Sequence, residues 1–329
     1  MEIEYAMGLI LLALGGVVGV LSYLPQPTAA GAGVWLPTTD NAAKREFEVW
    51  ALGYSLIWIG VFGVVVATSV YKQFTANSYM YLCVSLALPY LLQPVVYPLP
   101  AEKNLPLHMR YSFKANLWIA IFSFIGNYWY THYFYSVLEA RYTFPSHRLN
   151  NVPIALFFAT HFYFVFYHTA SNMLLRKVET SYRPGPARRL LFWTVVCSFA
   201  YFTAFMESFS ISSFEHYSFN KPKSEIYSWG SAFYGIYFLV SYPVFHRLDE
   251  KVSSKDKMQP HSLFQTIIEV MGSAMIVLLL LDFCRIAKGV DLNIPGMAFC
   301  ENSLGQQCRA AGMGKTATCT STTARSSRG

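Results

Sequence analysis

Charge is scarce in this chain: Asp, Glu, Lys and Arg make up 13% of its 329 residues, against about 25% in an ordinary soluble domain. With 54% apolar and 17% aromatic residues and a mean hydropathy of +0.32, that scarcity excludes the soluble class and points to a membrane protein. Histidine is also sparse. Its eight copies form no HxxxH or HxxHH box, which excludes a di-iron centre of the membrane oxygenase or desaturase kind. The six cysteines show no CxxC or His-spaced metal pattern; Cys83, Cys197 and Cys284 fall in apolar runs as small hydrophobes, leaving Cys300, Cys308 and Cys319 to meet water. There is no usable GxSxG elbow, P-loop or dinucleotide fingerprint. The formal net charge of +7 sits in short connections between apolar runs, where it orients a membrane protein, so no nucleic-acid partner is expected.

What remains is a succession of apolar runs. Segments 6–24, 49–71, 79–99, 115–138, 153–175, 190–214, 227–245 and 263–284 each approach the roughly 20 residues that cross a bilayer as a helix. The expected fold is therefore all-α, a polytopic membrane helix bundle of about eight transmembrane spans, or seven if the first is absent or cleaved. The first span lacks a basic flank and has only Glu2 and Glu4 before it, which favours an anchor over a signal peptide. Pro89, Pro94 and Pro98 predict that the third is kinked or broken, a helix followed by a re-entrant turn. Three regions follow: an N-terminal extension with the first span over 1–48, a membrane catalytic domain over 49–286, and a tail over 287–329 whose Ser, Thr, Gly and Arg composition reads as disordered.

Alternate connections carry unequal charge. On side B stand Lys44, Arg45, Lys103, Arg110, Lys114, Arg176, Lys177, Arg183, Arg188, Arg189, Arg247, Lys251, Lys255 and Lys257, fourteen in all; side A has seven. Side B is thus expected to face the cytoplasm, with both termini on the opposite side.

Between Pro153 and Leu175 no residue is charged, yet His161, His168 and Asn172 occur. At about 100° per residue, steps of seven and eleven return to within roughly 20°, so the three share one helical face. Polar groups at membrane depth are expensive and normally line an interior site, although helix-to-helix hydrogen bonding is the plainer use. Depth counted along the helices puts His132, His161 and Glu207 about 9–12 Å below side A, on three consecutive spans that short loops make neighbours. His168 and Glu269 form a second layer near side B. Desolvation favours the neutral forms of carboxyl and imidazole, so such a set suits general acid and base chemistry on an apolar substrate. Trp118, Trp129, Tyr163 and further aromatic residues of the fourth and fifth spans add faces able to stabilise a cation, or simply pack. On these grounds isomerase, transporter and receptor remain open, with bis-histidine haem on His132 and His161 a lesser alternative.

Longer motifs narrow the choice. The segments KANLWIAIFSFIGNYWYTHYFYSVL (114–138), YTFPSHRLNNVP (142–153), FFATHFYFVFYHTASNMLLRKV (157–178), FMESFSISSFEHYSF (205–219), FYGIYFLVSYPVFHRLDEK (233–251) and GSAMIVLLLLDFCR (272–285) closely resemble the cycloeucalenol cycloisomerase, or cyclopropyl sterol isomerase, family. The likeness covers about half the chain; the first 48 residues and those past Gly305 lie outside it. It implies a multi-pass endoplasmic-reticulum enzyme of phytosterol synthesis that opens the 9β,19-cyclopropane ring of cycloeucalenol to give obtusifoliol, with a cyclopropyl sterol and the bilayer as partners and no redox cofactor or metal. Protonation at C19 would leave a tertiary cation at C9, and loss of the C8 proton a Δ8 double bond. Related readings are a Δ8–Δ7 sterol isomerase and a non-enzymatic sterol-binding transporter. For the ring opening, the residues suggest Glu207 as proton donor, His161 as base or recharging group, His132 as its partner, and Trp118, Trp129 and Tyr163 around the cation. His168, Asn172 and Asn127 are second choices.

Overall fold

Each apolar run becomes a helix because, away from water, a chain satisfies its backbone polar groups most simply within one segment. A computed structural model of the chain describes residues 2–28, 33–212, 214–251 and 260–292. The expected disordered tail from Gly305 lies outside the described residues, as do Cys300, Cys308 and Cys319. The helices are α1 (Glu2–Leu21), α2 (Ala42–Ala67), α3 (Ala76–Val96), α4 (Tyr111–Ile125), α5 (Thr131–Val137), α6 (Ile154–Ser181), α7 (Pro186–Ser212), the short α8 (Lys223–Glu225), α9 (Ser231–His246) and α10 (Leu263–Ala287). Single π-helical turns at Gly126–Tyr130 and Ile226–Gly230 join α4 to α5 and α8 to α9. Eight rods result among the described residues, matching the eight apolar runs in place and order. This is an all-α membrane protein.

Five of the rods, α1, α2, α3, α7 and α10, are long and apolar enough to cross a membrane on composition alone. The other three are the polar-bearing rods of the interior. Among them, α6 packs against α2, α3, α4, α7 and α9. Its stripe faces inward as the periodicity requires, with His161 3% exposed and His168 and Asn172 fully buried. By contrast α1 packs chiefly on α7, and Met7 is its buried anchor.

The rods alternate in direction, as their end contacts show. At one end the start of α2 meets the end of α9 through Lys44 Nζ, which donates to the carbonyls of His246 and Leu248 at 3.0 and 2.7 Å. Lys114 of α4 pairs with Asp249 in the turn after α9, and Arg176 of α6 spans Glu48 and Glu250. The end of α1 joins the same side, where Thr28 N–H donates to the Ser181 carbonyl. At the opposite end Lys72 pairs with Glu215 at 2.6 Å, and Lys288 with Glu225 at 3.4 Å.

Two expectations need correction. The third run is neither broken nor re-entrant: α3 continues through Pro89 and Pro94 and stops at Val96, before Pro98 and Pro100. Neighbours supply polar contacts along the loosened turns, Tyr54 donating to the Leu86 carbonyl at 3.0 Å and Arg110 to that of Pro94 at 2.5 Å. Its start is fixed by a capping box between Thr75 and Ser78. Second, the fourteen basic residues of side B are not all loop charges. Lys44 and Lys114 are fully buried and Arg176 is 1% exposed, so three of them serve an internal ionic cluster rather than a surface field.

Four short strands decorate the other end. Arg148–Leu149 (β2) pairs with Val152–Pro153 (β3) across Asn150 and Asn151. Both asparagines adopt positive φ, 49° and 62°, as a two-residue hairpin turn demands. Ala140–Tyr142 (β1) pairs antiparallel with Tyr217–Phe219 (β4), tying the end of α5 to the end of α7.

Candidate active site

On α7, Phe199, Thr203 and Glu207 recur every four residues and so point one way. They face α9. Phe199 packs on Tyr242 at 5.4 Å, Thr203 Oγ1 accepts from the Tyr242 hydroxyl at 2.9 Å, and Glu207 Oε2 accepts from the Tyr234 hydroxyl at 2.8 Å. Small residues permit this approach: Ala200 and Ala204 are buried on α7, and Gly235 of α9 lies against the Ala200 backbone.

Across from α9, α6 supplies Tyr167, whose hydroxyl also interacts with the Glu207 carboxyl, and Tyr163, which lies in its field. Tyr142 and Tyr217, on β1 and β4, also feel its charge. Glu207, Tyr142, Tyr163, Tyr167, Tyr217 and Tyr234 all keep part of their surface accessible. No Lys, Arg or His pairs with Glu207 among the described residues. The carboxyl therefore meets hydroxyls and ring faces instead of a counter-ion, an arrangement suited to holding and giving up a proton.

The histidines do not join it. His161 donates from Nε2 to Asn116 Oδ1 at 3.0 Å and lies by Tyr90, on the α3–α4 side of α6. His132 is fully buried, edge-on to Tyr135 at 5.6 Å and near Asn150, with no hydrogen bond to either ring nitrogen among the described residues. The three expected partners instead meet different neighbours: Asn116 for His161, Tyr135 for His132 and Tyr234 for Glu207.

His168 is held by packing. The Phe164 carbonyl, 2.8 Å from Nδ1, can only accept, so Nδ1 carries the proton and Nε2 accepts from Ser241 Oγ at 2.9 Å. Trp118, Tyr242 and Phe245 surround its ring at 5.1–5.5 Å. Trp118 thus faces His168 and not Glu207. Glu269, placed in a layer with His168, instead approaches His261 and Arg247 at 3.4 and 3.7 Å.

Of the remaining candidates, Asn172 donates to Glu48 Oε1 at 3.0 Å as part of the ionic cluster. Asn127 bonds back to its own rod, donating from the π turn to the Ser123 carbonyl of α4 at 2.9 Å. Trp129 is half-buried, edge-on to Tyr128 at 5.3 Å. Among the aromatic candidates, Tyr163 is the one that feels the charge of the carboxyl. Sequence reasoning missed Tyr234, Tyr142 and Tyr217; the signal available was the Tyr234–Tyr237 spacing on the run facing Glu207's span.

Fold and site together define a helical membrane protein with a hydroxyl-lined carboxyl in its interior. No family model matches the chain, and no solved structure matches it. A curated Arabidopsis thaliana protein, Cycloeucalenol cycloisomerase, is 38% identical over 283 residues, covering 85% of this chain and 95% of that protein. The chain belongs to the cycloeucalenol cycloisomerase family. It is accordingly an isomerase of sterol biosynthesis.

Proposed function

We propose that this enzyme opens the 9β,19-cyclopropane ring of cycloeucalenol to give obtusifoliol, acting in the endoplasmic-reticulum membrane as an eight-span protein with its basic end towards the cytoplasm. The observation that carries the mechanism is the 2.8 Å bond from Tyr234 to Glu207, a carboxyl with no counter-ion among the described residues. Glu207 donates its proton to C19 as the C9–C19 bond breaks, and the bond's electron pair forms the new C–H bond. The cation is left at C9. Loss of the C8 proton then supplies electrons for the C8–C9 double bond, and the carboxylate created in the first step is the base available in the cage. Proton count and oxidation level are unchanged overall.

Tyr234 and Tyr167 position the carboxyl and steady the charge it acquires, a role worth more in the charged state than in the neutral one. Tyr163 and Tyr167 are assigned to stabilise the cation through their ring faces, and desolvated cation–π contacts are worth about 2 kcal/mol or more. His161, His132, His168, Trp118, Asn127, Trp129 and Asn172 are assigned to packing and to hydrogen bonds within the bundle.

Membranes of a sterol-auxotrophic host expressing the chain should convert fed cycloeucalenol to its Δ8 product without added nucleotide, as read by mass spectrometry. Unchanged sterol, a requirement for NADPH or oxygen, or a product formed only by moving a Δ8 double bond to Δ7 would overturn the reading.

A further inference from the structure

The sheet of β1 and β4 sets Tyr142 directly opposite Tyr217. Directly paired residues of an antiparallel ladder project to the same side, and here the rings meet edge-to-face at 4.7 Å and 86°. Their hydroxyls lie close enough to interact with each other, and both feel the charge of Glu207. Burial holds both phenols well above their usual range, so each is a neutral hydroxyl, able to donate and accept. Neither has another side-chain hydrogen-bond partner among the described residues.

Beside Tyr217 opens a cavity of about 280 Å³, which Phe219, Lys221, Ile226 and Tyr227 also line. Ligand pockets run from about 300 to 1,000 Å³, so this one suits the end of a sterol rather than its whole length. Ser218 and Lys223 complete the lining, and Lys221 is paired with Glu139 at 3.4 Å.

The geometry points to Tyr142 and Tyr217 as the pair that binds the 3-hydroxyl of the sterol and so determines which carbon meets Glu207. The inference rests on the proposed ring opening and adds its substrate-selecting contact. In a 9β,19-cyclopropyl sterol the hydroxyl lies on ring A and the strained ring begins at the next ring junction. One ring's width therefore separates the two groups the enzyme must address. The cage offers a proton donor on α7 and a hydroxyl pair on the adjoining sheet. With the hydroxyl anchored there, C19 is the part of the nucleus turned to the carboxyl. A site that hydrogen-bonds a substrate hydroxyl discriminates strongly against the analogue lacking it, because its own polar groups are then left unpaired.

The test compares cycloeucalenol with its 3-deoxy analogue in membranes carrying the wild-type chain, Tyr142→Phe, Tyr217→Phe or the double variant; thermal midpoints confirm folding. The wild type should prefer the hydroxylated sterol about 100-fold or more in kcat/KM. Each single variant should reduce that ratio, and the double variant should bring it within about fivefold, chiefly by raising KM for the hydroxylated substrate. An unchanged ratio in the folded double variant, no preference in the wild type, or equal losses on both substrates would overturn the assignment while leaving the ring opening intact. A wild type that converts neither sterol would instead remove the underlying reading, and the assignment with it.

Discussion

Tyr234→Phe removes a single oxygen and keeps a ring packed against Phe134, Tyr237 and Phe238 at 5.2, 4.9 and 5.3 Å. Its effect on packing is therefore small, and its effect on Glu207 is direct. A hydrogen bond to a neutral group contributes about 0.5–1.5 kcal/mol and one to a charged group about 1.5–3 kcal/mol. Glu207 is neutral before it donates and charged afterwards, so the hydroxyl favours the transition state over the ground state by about 1–2 kcal/mol. That difference corresponds to roughly a 5- to 30-fold fall in kcat, with KM changed by no more than about twofold. Timed conversion of cycloeucalenol in membranes, followed by mass spectrometry across a range of substrate concentrations, separates the two constants. An unchanged kcat, or a change confined to KM, would refute the role given to this bond.

The ionic cluster yields two further predictions. Arg176 binds Glu48 and Glu250 through four bonds of 2.7–3.0 Å, and Glu250 also pairs with Lys44 at 2.9 Å, so Arg176→Met leaves the buried Glu48 carboxylate without its cation and should destabilise the fold by about 3–5 kcal/mol; pairing it with Glu48→Gln should recover part of that loss in detergent melts, and no recovery would count against a coupled network. Burial opposes ionisation of Asp249 and Glu250, but His261 and Lys114 hold the first, and Lys44 and Arg176 the second, below the usual carboxylate range. Groups with depressed folded values stabilise the protein fully above the ordinary pKa of about 4 and progressively less as pH falls through the folded value. Melting temperatures should thus decline below about pH 4, and a flat profile there would contradict the assignment. Separately, His161→Gln should keep turnover within about fivefold, since its Asn116 contact is outside the cage; abolished turnover in a folded variant would return His161 to the catalytic set.

Much of this fold was legible because length and hydrophobicity are read along one chain. The eight runs became eight rods, and the periodic stripe on α6 faced inward as its spacing required. The alternation of short connections also gave the antiparallel order that the end contacts display. Partners across the bundle were another matter. Lys114 and Asp249 are 135 positions apart and Arg176 and Glu48 are 128 apart, so three buried cations passed for loop charges. Depth along a helix placed Glu207 level with His132 and His161, but which way each side chain points depends on how neighbouring helices rotate against one another. That rotation follows from packing, such as Ala200 against Gly235, and brought Tyr234 to the carboxyl in place of the histidines. The prolines misled for a related reason: their missing donors are tolerated where Tyr54 and Arg110 can reach the helix.

The most direct test is Glu207→Gln, which preserves shape and hydrogen bonding while removing the transferable proton. Loss of a positioned general acid typically costs about 10²- to 10⁴-fold. The account predicts a loss of that size in conversion of cycloeucalenol, with sterol binding and thermal midpoint retained. Turnover within tenfold of the wild type in that variant would contradict it.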